Sequence, residues 1–311
     1  MQQEAVKQSI QSLLVSWRAQ MQSRPLMTLA LAGVIGAMLF MLVANVLTAF
    51  NRVEPIFLQW ALIGGAVGAA STALGAAPGL VIKKLPVKVE DTMLGMAAGM
   101  MLAASFFSLI LPGIDAGTTL AGSAVSGAII VISGMAGGVL LMLGLDYYLP
   151  HEHAHSGPCG AGYQQVSRVS LFVLAIALHN FPEGMAIGVS YTDGNLSVGI
   201  PLTAAIAIQN IPEGLAVVLA LRRIDMPVGK AVMIAALTGL VEPVGAVLGI
   251  FLSSGLPVSY PLGLGIAAGA MIFVVSHEVI PETHRNGHQT TATIGLMGGF
   301  FVIMLLTTLL G

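Results

Sequence analysis

Nine apolar runs, each long enough to cross a bilayer, leave this chain few folds to choose from. They cover residues 26–50, 55–82, 92–112, 118–147, 168–190, 197–221, 229–253, 258–281 and 290–310. About 20 apolar residues in a helix span roughly 30 Å of hydrocarbon. In lipid every backbone N–H and C=O must be satisfied within the segment, so runs of this length are helices. Composition agrees: the 311 residues are 56% hydrophobic and only 8% charged, against about 25% charged in a soluble domain. The expectation is an all-α polytopic membrane protein. The third and fourth runs are rich in Gly and Ala, which lets helix backbones approach closely.

Residues 1–25 read as a cytoplasmic amphipathic segment carrying Lys7, Arg18 and Arg24. The run at 26–50 exceeds the 7–15-residue apolar core of a signal peptide. It is expected to stay in the protein, as an extra N-terminal helix or an uncleaved anchor, ahead of a main bundle at 51–311. With the N-terminus inside, Lys7, Arg18, Arg24, Lys83, Lys84, Lys88, Arg168, Arg222, Arg223, Lys230 and Arg285 fall on the inner side and Arg52 alone outside. That asymmetry fits the positive-inside rule, and nine spans then put the C-terminus outside. One cysteine, Cys159, excludes an intrachain disulfide. There is no basic patch of the kind nucleic acid requires.

Against this apolar background three carboxylates stand out. Glu183, Glu213 and Glu242 fall near the middle of the fifth, sixth and seventh runs, with no Lys or Arg at the same depth. An ionisable group there is costly unless it is paired, protonated or facing a wet cavity. Three carboxylates without a resident cation point to one supplied from outside. Two belong to near-copies of one motif: His179-Asn180-Phe181-Pro182-Glu183-Gly184 and Gln209-Asn210-Ile211-Pro212-Glu213-Gly214. His179 and Glu183 are i and i+4 on one helix face, with Asn180 at i+3 from the carboxylate, and Gln209, Asn210 and Glu213 repeat the arrangement. Met101, midway along the third run, lies at the same level. A neutral imidazole among carboxylates suits zinc, cadmium, iron(II), manganese or nickel, better than magnesium or calcium, which prefer oxygen alone. Sites near the midplane are typical of transporters.

Pro182, Pro212 and Pro243 each lack an N–H and crowd the carbonyl four residues earlier, on Leu178, Ile208 and Gly239. Proline beside glutamate at mid-depth, three times over, is expected to mark a kinked and hydrated path.

The paired motif resembles the ZIP (Zrt-, Irt-like) metal transporters, and among them the bacterial type. The resemblance implies a bundle of eight core transmembrane helices, with 26–50 as an additional one, and elevator-type movement of metal toward the cytoplasm across a bacterial inner membrane. It also implies a homodimer and a two-metal site. One metal would be held by Met101, His179, Glu183, Gln209 and Glu213; the other by Asn180, Glu183, Asn210, Glu213 and Glu242. Read from the residues alone, Met101 is more readily a packing methionine than a ligand. Relatives often carry histidine at the position of Gln209, and some carry aspartate at that of Asn210. The amides here weaken the field at the second site.

Six of the seven histidines fall on the inner side. His151, His153 and His155 lie in the loop 148–167. His277, Glu278 and Glu282 lie at the inner end of the eighth run. Both groups read as candidate exit or cytoplasmic metal ligands, or as a solvated loop. Asp115 is read as a charge at the entrance, or as a plain interfacial residue. Two other functions compete. His151-Glu152-His153-Ala154-His155 matches the H-E-x-x-H pattern of zinc proteases, which works only on a helix; Pro150 and Gly157-Pro158 leave no room for one. A proton-coupled carrier of organic cations would use the glutamates as a relay, but would want aromatic rings around its substrate.

Overall fold

The computed structural model describes residues 15–49, 54–153, 157–160 and 168–310. Lys7, Arg52 and His155 therefore lie outside the described residues. Among the described residues, nine helical stretches are long and apolar enough to cross a membrane. A short helix α1 (residues 15–23) precedes α2 (Pro25–Ala49). Then come α3 (Pro55–Ala76), α4 (Val87–Ala104), α5 (Leu111–Ala121) and α6 (Ala124–Tyr148). The motif helices are α7 (Arg168–Ser190) and α8 (Leu196–Arg223), followed by α9 (Val228–Thr238), α10 (Val241–Ser253), α11 (Ser259–Val274), α12 (Ile280–His284) and α13 (Gln289–Leu310). The loop after α6 holds a two-stranded antiparallel hairpin, β1 (His151–His153) and β2 (Gly157–Cys159).

The third span departs from expectation. It runs from Val87 to Ala121 over 35 residues, rather than 92–112, and the fourth begins at Ala124 rather than 118. A π-turn at Ser105–Ile110 joins α4 to α5. Its wider loop accommodates Pro112, whose missing N–H would otherwise break the helix. Gly122, at φ 71°, ends the span. The same device recurs in the eighth span, where a π-turn at Val275–Val279 precedes Pro281 and joins α11 to α12.

The three Pro-Glu pairs differ in outcome. Helices α7 and α8 run unbroken through Pro182 and Pro212. The seventh span breaks between Thr238 and Val241, so Glu242 lies in the first turn of α10 rather than mid-helix. The residue crowded by the proline is Leu178 or Ile208 in the first two cases but Gly239 in the third, and glycine is the poorest ordinary helix former. Leu240 and Glu242 instead donate backbone bonds to Leu237 and Gly239 in tight turns.

Packing sorts the helices into two sets. In one, α13 lies along α4, α11 along α6, and α6 against α5. In the other, α10 packs on α7 and α3, α3 on α8, and α9 on α3. The sets meet chiefly where α4 touches α8 and α11 touches α7. Within the second set the motif glycines make the contacts. A Cβ on Gly184 would fall 2.2 Å from the Glu242 carbonyl oxygen, and one on Gly214 would fall 2.3 Å from that of Thr72. The glycine after each motif glutamate thus brings α7 against α10 and α8 against α3, and so gathers the carboxylates.

Candidate metal centre

Five side chains converge in the second set. Asn180 and Glu183 come from α7, Gln209 and Asn210 from α8, and Glu242 from α10; each is at most 2% exposed. They form two hydrogen-bonded pairs. Gln209 donates through Nε2 to Glu183 Oε1 at 2.7 Å, and Asn210 donates through Nδ2 to Glu242 Oε1 at 2.8 Å. Thr72 also donates to Glu242 Oε1 at 3.2 Å, and Asn210 reaches the Gly68 carbonyl at 3.3 Å. Four further polar atoms of these residues are buried without a hydrogen-bond partner: Asn180 Nδ2, Glu183 Oε2, Gln209 Oε1 and Glu242 Oε2. Buried polar groups are almost always satisfied. Here three unpaired acceptor oxygens, two of them from carboxylates, gather in a region with no lysine or arginine. Glu242 also sits at a helix N-terminus, where the partial positive charge of the helix favours an anion.

In front of this cluster lies a cavity of about 260 Å³. Met101, His179 and Glu213 line its head, and Glu90, Asp91, Arg223 and Asn286 line the far end, at the termini of α4 and α8 and the loop before α13. On the opposite side of the cluster the path is filled. Ala104, Met185, Ile187, Leu202 and Ile206 lie between it and the other bundle face, each at most 1% exposed. The cavity's lining reaches the face at Glu90, Asp91, Arg223 and Asn286, away from these buried side chains. That lining contains no Phe, Tyr or Trp, the rings an organic-cation carrier would want around its substrate.

The structure brings Met101, His179 and Glu213 to the cavity head and places Asn180, Glu183, Gln209, Asn210 and Glu242 behind them. His277, Glu278 and Glu282 line the cavity wall. His179 Nε2 lies 3.1 Å from Glu278 Oε2, at ion-pair distance though without hydrogen-bond alignment. The π-turn carries both His277 and Glu278. His151 is not solvated. It is fully buried, with Nδ1 2.8 Å from the Leu149 carbonyl and Nε2 3.0 Å from Asp146 Oδ1. Ligand atoms of Asp146, His151 and Glu278 lie within 4.8 Å of one another, a spacing that can hold a cation. His153 sits on β1 beside His151, so the H-E-x-x-H stretch begins as a strand and cannot present two histidines on a helix face. Asp115 is exposed on α5 and does not line the cavity.

Two carboxylates that read from the sequence as inner segment ends near an exit, or as plain interfacial residues, acquire partners, and others carry no signal at all. Asp146 links His151 to Glu278 on the cavity wall. Asp91 is 2% exposed and accepts from Asn286 and His288 at 2.9 and 2.8 Å. Arg223 pairs with Glu90 across the cavity mouth. Thr72 and Gly68, which fix Glu242, carry no charge that would draw attention. Their only signal is the run of small residues through α3.

The comparisons bear on the same residues. A family model described as "ZIP Zinc transporter" matches residues 149–307. The chain is 56% identical over 296 residues to the zinc transporter ZIPB of Bordetella bronchiseptica, covering 95% of this chain and 96% of that one. It is 41% identical to the zinc transporter GufA of Myxococcus xanthus, over 80% of this chain and 98% of the relative. The zinc transporter ZIP11 of Homo sapiens is 29% identical over 81% of this chain and 97% of its own length.

Proposed function

Since this chain belongs to the ZIP zinc transporter family, we propose that it carries zinc across the bacterial inner membrane toward the cytoplasm by alternating access. One observation carries the reading: a buried cluster of carboxylates, amides and imidazole stands at the head of a cavity open to one face. The proposed first metal takes Met101, His179, Glu183, Gln209 and Glu213. The second takes Asn180, Glu183, Asn210, Glu213 and Glu242, with Glu183 and Glu213 bridging. The amide bonds support this. Gln209 and Asn210 turn N–H donors toward Glu183 and Glu242, and the unpaired Oε1 of Gln209 is a ligand oxygen within the same cluster. An arriving cation replaces those donors, and a rotated amide then offers its oxygen. Cadmium, iron(II) and manganese fit the same donor set.

The direction of opening supports release toward the face that carries Glu90, Arg223 and Asn286. This is the cytoplasmic face if the N-terminus lies inside and the C-terminus outside. Glu278, with Asp146 and His151, forms a station on the way out, and His277 and Glu282 line the same wall. For the transition we propose that α3, α7, α8, α9 and α10 slide as a unit against α4–α5, α6, α11–α12 and α13. A homodimer would hold the second group still.

The test is zinc entry into proteoliposomes that hold a metal-sensing dye. The native chain is expected to fill them, and the chain with both His179→Ala and Glu213→Ala to fall to the rate of protein-free vesicles. Equal entry in both, with well-folded protein, sinks the proposal.

A further inference from the structure

Helix α2 takes no part in the cluster or the cavity and lies outside the residues that match the family model. Most of its surface is exposed. Yet one polar residue on it, Asn45, is completely buried. Its side chain makes three of the four hydrogen bonds open to it. Nδ2 donates to the carbonyl of Leu252, in the last turn of α10. Oδ1 accepts from the backbone N–H of Leu256 and from the hydroxyl of Ser259, both at 3.1 Å. Leu252 belongs to one helix set, Ser259 opens α11 in the other, and Leu256 lies in the linker between them. Gly255, at φ 117°, packs its Cα face against Asn45 and Thr48, and a Cβ there would fall 2.5 Å from the Thr48 hydroxyl. One amide therefore bonds both sides of the covalent joint between the two sets.

The other half of α2 is tied to α6. Thr28 and Tyr148 hydroxyls are 2.6 Å apart, Arg24 stacks over Tyr147 at 4.5 Å, and Leu31 fills the space above Gly144. Helix α2 thus stands with the α6 set and reaches across to the end of α10.

We infer that Asn45 is a positioning residue for transport, a pin that holds the α10–α11 joint in the conformation whose cavity opens toward the Arg223 end. The inference rests on the two-set motion proposed above. Hydrogen bonds hold between roughly 2.7 and 3.2 Å, so a slide of α10 against α11 by more than about 1 Å breaks the bond to Leu252 or the bond from Ser259. Asn45, Leu252 and Ser259 are buried among the helix ends, so groups freed there are left without partners, which is costly. The pin therefore disfavours the opposite conformation, in which the filled half of the path opens.

The experiment uses the full chain in lipid nanodiscs with Cys159→Ser and an Ala104→Cys reporter. Ala104 is buried one turn beyond Met101 on the filled side, so a water-soluble maleimide labels the reporter only when that side opens. Asn45→Leu is expected to raise the labelling rate roughly three- to tenfold, the effect of losing about one net hydrogen bond. Ser259→Ala removes a single bond, keeps the variant testable if Asn45→Leu does not fold, and is expected to give a smaller rise in the same direction. A merely structural role predicts a lower melting temperature with unchanged labelling, and that result overturns the inference alone. If the parent reporter stays unlabelled with zinc present, while the same protein in proteoliposomes carries zinc, the two-set motion is overturned, and the inference with it.

Discussion

Glu183→Gln is expected to abolish zinc uptake and, in the same protein, to raise the melting temperature of the metal-free form. The substitution keeps the side chain's shape and its ability to accept from Gln209 Nε2 at 2.7 Å. It removes a carboxylate that is completely buried, with Oε2 unpaired, in a region without lysine or arginine. A buried charge lacking its partner costs stability, and residues held for function are often suboptimal for the fold. The rise is expected to be about 1–2 °C, the scale of a ~1 kcal/mol change at an unfolding entropy of about 2.1 cal/mol/K per residue in a chain of 311 residues. In the native chain zinc itself should stabilise, by about 2.7 kcal/mol at a hundredfold excess over its dissociation constant. Glu183→Gln should lose most of that shift. Thermal unfolding with and without zinc, next to uptake in proteoliposomes, checks all three. A variant that melts lower than the native chain and still responds fully to zinc would show that Glu183 is a structural residue.

Gly68→Ala should damage transport nearly as much without replacing any proposed ligand. A Cβ at Gly68 would fall 1.7 Å from Glu242 Oε2 and 2.8 Å from the carboxyl carbon. The carboxylate is the end of a flexible chain and can swing away, so folding survives. Swinging away costs the bonds from Thr72 and Asn210, and the group leaves the cluster. Misplacing an acting group by about 1 Å can cost on the order of 10²-fold in rate, and a fall in uptake of at least tenfold is expected. Gly33→Ala and Gly298→Ala serve as controls, since a Cβ at either meets nothing within 4 Å; both should transport at the native rate. Native uptake by Gly68→Ala would mean that Glu242 need not stand where the structure holds it.

Much of this was legible in the chain. Length and hydropathy of the runs forced helices, because lipid offers no partner to an open backbone. The i, i+4 spacing of His179 and Glu183, repeated at Gln209 and Glu213, put donors on one face of each helix before any fold was known. The boundaries of the third span were not legible. Pro112 signals a stop in a regular helix, and only the π-turn at Ser105–Ile110 lets the chain continue. Nor could the sequence say that Pro243 would break its helix while Pro182 and Pro212 would not. That difference rests on glycine at position 239, a preference of under about 1 kcal/mol relative to alanine, which packing can reverse.

What the sequence determined by itself is the solvent of this protein, the class of its fold, and the polar groups set at mid-depth in it. Each follows from local rules: apolar length, backbone satisfaction, and the cost of a carboxylate in lipid. The tertiary structure decided the rest. Close approaches at Gly184 and Gly214 brought three helices near enough to share their carboxylates. The packing of Ala104, Leu202 and Ile206 closed one side of the path and left the other open. His151 was taken out of its loop and bonded to Asp146 beside the cavity. These outcomes depend on which surfaces of separate elements meet, and no periodicity within a single run encodes that meeting.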